Sequence, residues 1–191
     1  DDRVVAVGDL SVKGPKSREV LDLFMKDPRF SSVIGNHDYA LVKHFRTGVK
    51  LKSSQARVFE ELRTPDDRYL RFLESLPFFL EVGSRLVVHA GLRPGVALEE
   101  QSNDDLIELR TLGADRTDRT GTPWYEEYDG PSLAIFGHWP SPQPRRGKFA
   151  LGIDSGCVYG YQLTGYILES EEFLKVQALK EYAASPSTVR T

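Results

Sequence analysis

The sequence predicts an α/β fold in a single domain, and three observations carry that expectation. Short, β-branched apolar runs end abruptly at glycine-containing turns, the pattern of buried strands feeding loops. The first two runs are separated by a stretch with apolar residues at helical spacing, the rhythm of a parallel sheet with crossover helices. With 191 residues and a 40% hydrophobic share, the chain can bury one sizeable core and is short for two ordinary domains.

Residues 4–7 (Val-Val-Ala-Val) form the first expected strand, which runs into Gly8-Asp9. Pro15 and Ser17 mark the start of a helix whose stripe is Val20, Leu21, Leu23 and Phe24, and Pro28 ends it. A second strand at residues 32–34 closes on Gly35-Asn36-His37-Asp38. Residues 39–77 read as mainly helical, with the clearest start at Thr64 as N-cap, Pro65 at the first helical position and Asp66 and Asp67 in the first turn. Residues 78–82 and 86–88 read as a hairpin around Gly83-Ser84, its second strand ending at His89-Ala90-Gly91. Residues 92–131 are polar and rich in turn formers, so short helices and long loops are expected there. Residues 133–136 form another strand ending at Gly137-His138, and residues 150–153 and 161–168 read as late strands. The domain is placed at residues 1–182, with 183–191 as a tail.

The 25 Lys plus Arg against 28 Asp plus Glu leave a net charge of -3, which excludes a global basic field for nucleic acid or an anionic membrane. An anionic substrate must then be held by local charge. The single Cys157 forms no internal disulfide and fits a reducing, intracellular setting, and no apolar run reaches transmembrane length. The chain opens on Asp1-Asp2-Arg3 without an initiator methionine and enters an apolar run at once, which reads as a truncated N-terminus.

Four strand ends present a metal-ligand type of residue: Asp9, Asn36 with His37, His89, and His138. Singly, each has an ordinary reading, since a histidine after a strand is commonly structural and Asp9 alone suits a turn or helix cap. The repetition at four strand ends favours function, because loops at the carboxyl ends of strands in an open α/β sheet converge on one crevice. Mixed oxygen and imidazole donors suit zinc, manganese or iron better than calcium.

In order along the chain, Gly8-Asp9 with Gly14-Pro15, Gly35-Asn36-His37-Asp38, Val88-His89-Ala90-Gly91 and Gly137-His138 resemble the successive signatures of calcineurin-like metallophosphoesterases. The segments GDLSVKGPKS (8–17), HAGLRPG (89–95) and GIDSGCVYG (152–160) are similar to the diadenosine tetraphosphatase and ApaH-like branch. The resemblance covers residues 4–168 and implies a β-sandwich with flanking helices, its N-terminal strand missing here. It further implies two divalent metals, with Asp9 bridging them and Asn36, His89 and His138 completing the shell of one. His37 would be the general acid, a role suited to an imidazole. Lys13 and Arg110 would bind phosphoryl oxygens, since phosphoryl transfer rests largely on positioning and electrostatics.

Two departures qualify that resemblance. The family carries an Asp-x-His pair on a preceding strand that nothing here supplies, so one metal site is expected to be incomplete. Protein phosphatases of the superfamily place an acid where Val12 stands, which argues against protein phosphatase activity and leaves Asp38 as a partial substitute beside His37. The basic loop Arg145-Arg146-Gly147-Lys148 reads as solvated, with polyanion guidance as the alternative, and Trp124, Tyr125, Tyr128 and Trp139 read as loop packing, with nucleobase stacking as the alternative. The expected activity is metal-dependent hydrolysis of phosphoanhydride or phosphoester bonds in a phosphate-containing small molecule or nucleotide end, with no membrane involved. The alternative is a pseudophosphatase serving a protein complex as an assembly subunit.

Overall fold

In the computed structural model, which describes residues 2–184, the first β-branched run forms β1 (Val4–Ala6) and the amphipathic stretch after it forms α1 (Ser17–Lys26). Strand β2 (Phe30–Ser32) pairs parallel with β1, as the strand-helix-strand rhythm requires. It sits two residues earlier than the apolar run implies: the paired register ends at Ser32, and Val33, whose N–H still bonds to the Ala6 carbonyl, and Ile34 follow it as buried residues. Helices α2 (Asn36–Thr47), α3 (Ser53–Leu62) and α4 (Arg68–Ser75) fill the expected helical stretch. Gly48 ends α2 with φ 71, its N–H bonding to the His44 carbonyl, an αL cap that glycine adopts without penalty.

The start expected at Thr64 lies elsewhere. The Thr64 hydroxyl donates to Asp66 Oδ1 instead of capping a helix, Asp67 takes φ 49, and α4 begins at Arg68. A side chain hydrogen-bonding within its own turn competes with helix initiation, and here the turn wins.

Strands β3 (Phe79–Val82) and β4 (Arg85–Val88) form the expected hairpin, with Gly83 at φ 59 in its two-residue loop. The polar middle of the chain holds a 3-10 turn (Leu98–Glu100), α5 (Asn103–Glu108), the short pair β5 (Thr111–Leu112) and β6 (Thr122–Pro123), and α6 (Trp124–Glu127). Strands β7 (Leu133–Phe136), β8 (Arg145–Arg146) and β9 (Ala150–Gly152) join the hairpin in a five-stranded sheet of order β3-β4-β7-β9-β8. Pairs β4–β7 and β7–β9 are parallel, so the chain leaves those three strands at the same edge. A separate hairpin, β10 (Gln162–Tyr166) with β11 (Phe173–Gln177), follows. Neither β8 nor β11 stands out in the sequence, because their residues are largely polar or exposed.

Two apolar clusters hold these layers. One lies under the helices around Leu21, Leu41, Leu62, Leu70 and Leu73, all fully buried. The other packs the face of the large sheet against α5 and α6 through Val88, Leu106, Trp124 and Phe136. The expected tail from residue 183 falls, from 185 onward, outside the described residues. Among the described residues no helix is long and apolar enough to cross a membrane.

Candidate metal and phosphate site

Parallel strands that end together bring distant residues into contact. His89 leaves β4 and His138 lies two residues beyond β7; the Gly137 N–H bonds to the His89 carbonyl at 2.9 Å, and the two imidazole rings sit 5.0 Å apart. The β1 turn closes on them from the second layer. A Cβ on Gly8 would lie 2.7 Å from His89 Nδ1 and 2.8 Å from the Gly35 nitrogen, so only a glycine lets the three turns meet. Asp9 Oδ1 accepts from the His37 N–H at 3.0 Å and lies 3.6 Å from His89 Nε2, while Asn36 Oδ1 lies 3.2 Å from that same nitrogen. The structure therefore brings Asp9, Asn36, His37, His89 and His138 to one place.

The protonation of His89 follows from its other nitrogen. Nδ1 is 2.7 Å from the Val7 carbonyl, an acceptor, so Nδ1 carries the proton and Nε2 presents a lone pair. With the ring neutral, that lone pair faces two oxygens, from Asp9 and Asn36, and no hydrogen is shared among the three. Three acceptors turned toward one another repel unless a cation sits among them. Metal bonds of about 2.0–2.2 Å in a tetrahedral shell place neighbouring donor atoms about 3.4 Å apart, which matches the observed 3.2 and 3.6 Å. His138 adds a buried Nε2 without a hydrogen-bond partner, and burial, followed by the nearby His89, holds its imidazole well below the usual range. These residues fit a divalent metal. Among the described residues there is no group of three His, Cys, Asp or Glu side chains that could hold a metal ion, and the Asn36 amide oxygen is the further oxygen beside Asp9 and His89.

Backbone strain accompanies the cluster. Asp9 (φ 57), Val12 (φ 69), Lys13 (φ 61) and His138 (φ 64) all adopt the left-handed region that non-glycine residues usually avoid. Such strain persists only where the surroundings enforce it, and it concentrates at functional sites. Asp38 supplies much of that enforcement in the 9–12 loop. Fully buried, its carboxylate accepts from the N–H groups of Leu10, Ser11 and Gly35 and from the Ser11 hydroxyl. Burial, then the Asp9 charge, pushes the carboxyl up to about 6, and the donors from residues 10 and 11 oppose that rise. Three of these bonds pin the loop and the fourth caps the start of α2 at Gly35, so the Asp38 carboxylate is turned to backbone and Ser11 partners and away from the His37 ring. The side chain that reaches the His37 ring is Gln55, with Nε2 3.5 Å from Nδ1.

Lys13 and Arg110 stand at the border of the cluster. Lys13 Nζ donates to the Tyr159 hydroxyl at 2.9 Å. Arg110 is half-buried, bonds through Nη1 to the Thr117 carbonyl and keeps a buried Nε without a partner. Burial, then the neighbouring Arg119, lowers its guanidinium to about 10. A cation destabilised by burial and by like charge is prepared for an anion. By contrast, Arg145 stacks on Trp139 at 4.2 Å and donates to the Trp139 and Pro140 carbonyls and the Tyr125 hydroxyl, so it knits the loop to the core. Trp124, Tyr125, Tyr128 and Trp139 are all buried around Phe136, which settles them as packing.

Three neighbours escaped the sequence reading. Asp154 follows β9 at the same edge, and its carboxyl is pushed up by burial and by Asp9; it repeats the strand-end pattern and was detectable that way. Tyr159 stands between two glycines at positive φ, a weaker signal. Gln55 had none, being one polar residue in an amphipathic helix.

Known proteins resemble this chain along most of its length. The chain is 31% identical to the asymmetrical bis(5'-nucleosyl)-tetraphosphatase PrpE of Bacillus velezensis over 206 residues, covering 97% of this chain and 82% of that protein. It is 28% identical to the symmetrical bis(5'-nucleosyl)-tetraphosphatase of Aromatoleum aromaticum, covering 94% and 88%. A crystal structure assigned as a candidate diadenosine tetraphosphatase superposes with a TM-score of 0.78 at 30% identity, over 93% of this chain and 81% of that one. A metallophosphoesterase from Sphaerobacter thermophilus, at 16% identity and a TM-score of 0.55, shares the fold. These relatives carry the names of hydrolases, and the pseudophosphatase alternative finds no support among them. The pattern of the calcineurin-like phosphoesterases, a family that uses divalent metals, matches residues 1–173, and the chain belongs to that family.

Proposed function

We propose that the protein is a metal-dependent hydrolase of dinucleoside polyphosphates that cleaves a phosphoanhydride bond. The observation that carries this reading is the convergence of Asp9 Oδ1, Asn36 Oδ1 and His89 Nε2 as unprotonated donors beside His37, with Lys13 and Arg110 at the border. The names of the relatives support this class of anhydride as the substrate.

In this reading Asp9, Asn36, His89 and His138 hold the metal, of the manganese, zinc or iron class given the mixed donors. When bound, a divalent ion supplies Lewis acidity at the phosphoryl group and activates the attacking water. Lys13 and Arg110 draw the phosphate chain in and offset charge on its non-bridging oxygens, most strongly as negative charge spreads in the transition state. His37 hands a proton to the oxygen that leaves with the departing nucleotide.

The direct test is incubation of the purified protein with manganese and diadenosine tetraphosphate, with products separated by anion exchange. Hydrolysis to mononucleotides that stops on chelation is expected; an intact substrate alongside turnover of a phosphoserine peptide would refute the assignment. Asp9→Asn removes a charge at the centre of the donor set, so metal content by mass spectrometry should fall well below one ion per chain. An unchanged content would overturn the role of Asp9.

A further inference from the structure

The arm that carries Arg110 has a short ladder to hold it. Strands β5 and β6 contribute two residues each, and the loop between them is tied largely to itself: Asp115 accepts from the Thr117 N–H and hydroxyl, and Asp118 from the N–H groups of Thr120 and Gly121. The Arg110 carbonyl accepts from the Trp124 N–H at 3.1 Å, but its own N–H donates to the Arg116 carbonyl at 2.8 Å and its Nη1 to the Thr117 carbonyl at 3.2 Å, so the guanidinium depends on where that loop lies. The side chain of Arg116 reaches back to α5, with Nε 3.4 Å from Asp105 Oδ1 and Nη1 3.3 Å from Asp104 Oδ2. Asp105, at 4% exposure, also accepts from Arg93 Nε at 2.7 Å and from Arg93 Nη2 at 3.2 Å. Arg93 belongs to the turn that follows His89, and the Ala90 N–H fastens that turn to the same helix, at 2.8 Å from the Leu106 carbonyl. One buried carboxylate thus joins the turn of His89 to the loop that holds Arg110. Apolar packing would serve stability as well, since buried charges lose on leaving water much of what they gain by pairing. A guanidinium fork on a carboxylate supplies direction instead, because it admits a narrow range of geometry.

We infer that Asp105 is a positioning residue for Arg110: with Arg93 on one side and Arg116 on the other, it sets where the Arg110 guanidinium stands relative to His89 and the donors beside it. This rests on the reading of Arg110 as a phosphate-binding residue. A phosphoryl group held by the donor cluster and by Arg110 has to fit both at once, and a displacement of about 1 Å costs up to roughly a hundredfold in rate. The Asp105 carboxylate is taken up by its two arginines and acts through Arg116 and the loop behind it.

The test compares Asp105→Asn, Arg116→Met and Arg110→Ala, and each of the first two combined with Arg110→Ala, with the parent protein, all first checked for fold by circular dichroism and Tm. Arg116→Met is the safer variant, because Asp105 keeps Arg93 and no buried charge is left alone. The Arg110 Nε–H resonance, identified by its loss in Arg110→Ala and read without substrate, should exchange with water roughly tenfold faster in Asp105→Asn and Arg116→Met than in the parent. With manganese content unchanged, kcat/KM for diadenosine tetraphosphate should fall roughly ten- to a hundredfold in Arg110→Ala and in both variants. In the Arg110→Ala background either variant should then change it by less than about twofold, a coupling that plain loss of structure does not produce. Equal falls in both backgrounds, or an unchanged Nε–H exchange rate, would overturn the inference and leave the role of Arg110 standing. An Arg110→Ala protein with the kcat/KM of the parent would remove that role, and the inference with it. If the parent leaves this substrate intact, the assignment of substrate falls, and the exchange rates alone decide whether Asp105 positions Arg110.

Discussion

His37→Ala is expected to lower kcat for diadenosine tetraphosphate by roughly 10²–10⁴-fold while leaving metal content unchanged. The separation of effects follows from position. His37 enters the cluster through its backbone N–H, which bonds to Asp9 Oδ1, and alanine keeps that N–H. Its ring faces Gln55 at Nδ1, whereas the donors suited to a metal come from Asp9, Asn36, His89 and His138. Burial, the largest influence, lowers the His37 imidazole from its ordinary value, and the Asp9 charge opposes that shift. Steady-state kinetics with metal analysis on the same preparation measures both quantities. Parallel loss of metal and turnover would make His37 a structural member of the cluster and remove it from the proton-transfer step.

Gly35→Ala should disable the site by steric means, without altering any donor. A Cβ there would lie 2.1 Å from Asp9 Oδ1 and 2.3 Å from the Asp9 nitrogen, and neither neighbour is free to move. The Asp9 carboxylate is held by His37, and its backbone belongs to a strained loop clamped by Asp38. Overpacking of this kind costs roughly 1–3 kcal/mol, or several degrees of Tm in a domain of this size. The larger expected effect is functional: displacing Asp9 breaks up the donor set, so metal content and turnover should fall together. Gly113→Ala, where an added Cβ meets nothing within 4 Å, is the matched control and should behave as the parent. Normal metal content in Gly35→Ala would show that the donors assemble without this close approach.

The site was more legible in the sequence than the fold around it, for a physical reason. Glycines at 8, 35 and 137, each next to a polar residue and each after an apolar run, mark places where backbone or side chain of another turn must pass within contact distance. That constraint leaves a local trace in composition. Strands β8 and β11 leave none, because they lie at sheet edges where burial imposes no alternation. The direction of the Asp38 carboxylate was not legible because proximity in sequence to His37 says nothing about it; the carboxylate turns back toward residues 10 and 11. Gln55 was invisible because its significance lies in tertiary contact, eighteen positions from the ring it meets.

On the proposed metal site, the left-handed backbone at Asp9 and His138 would tie the stability of the whole domain to a bound ion. Each such residue costs of order 1–3 kcal/mol, a debt the folded chain carries in every molecule whether or not an ion is present. An ion that binds only the folded state returns stability in proportion to the logarithm of its concentration over Kd. On that reading occupancy would set stability as well as turnover: the ion-free chain, strained at the same two residues that would grip the ion, would be the one more readily unfolded.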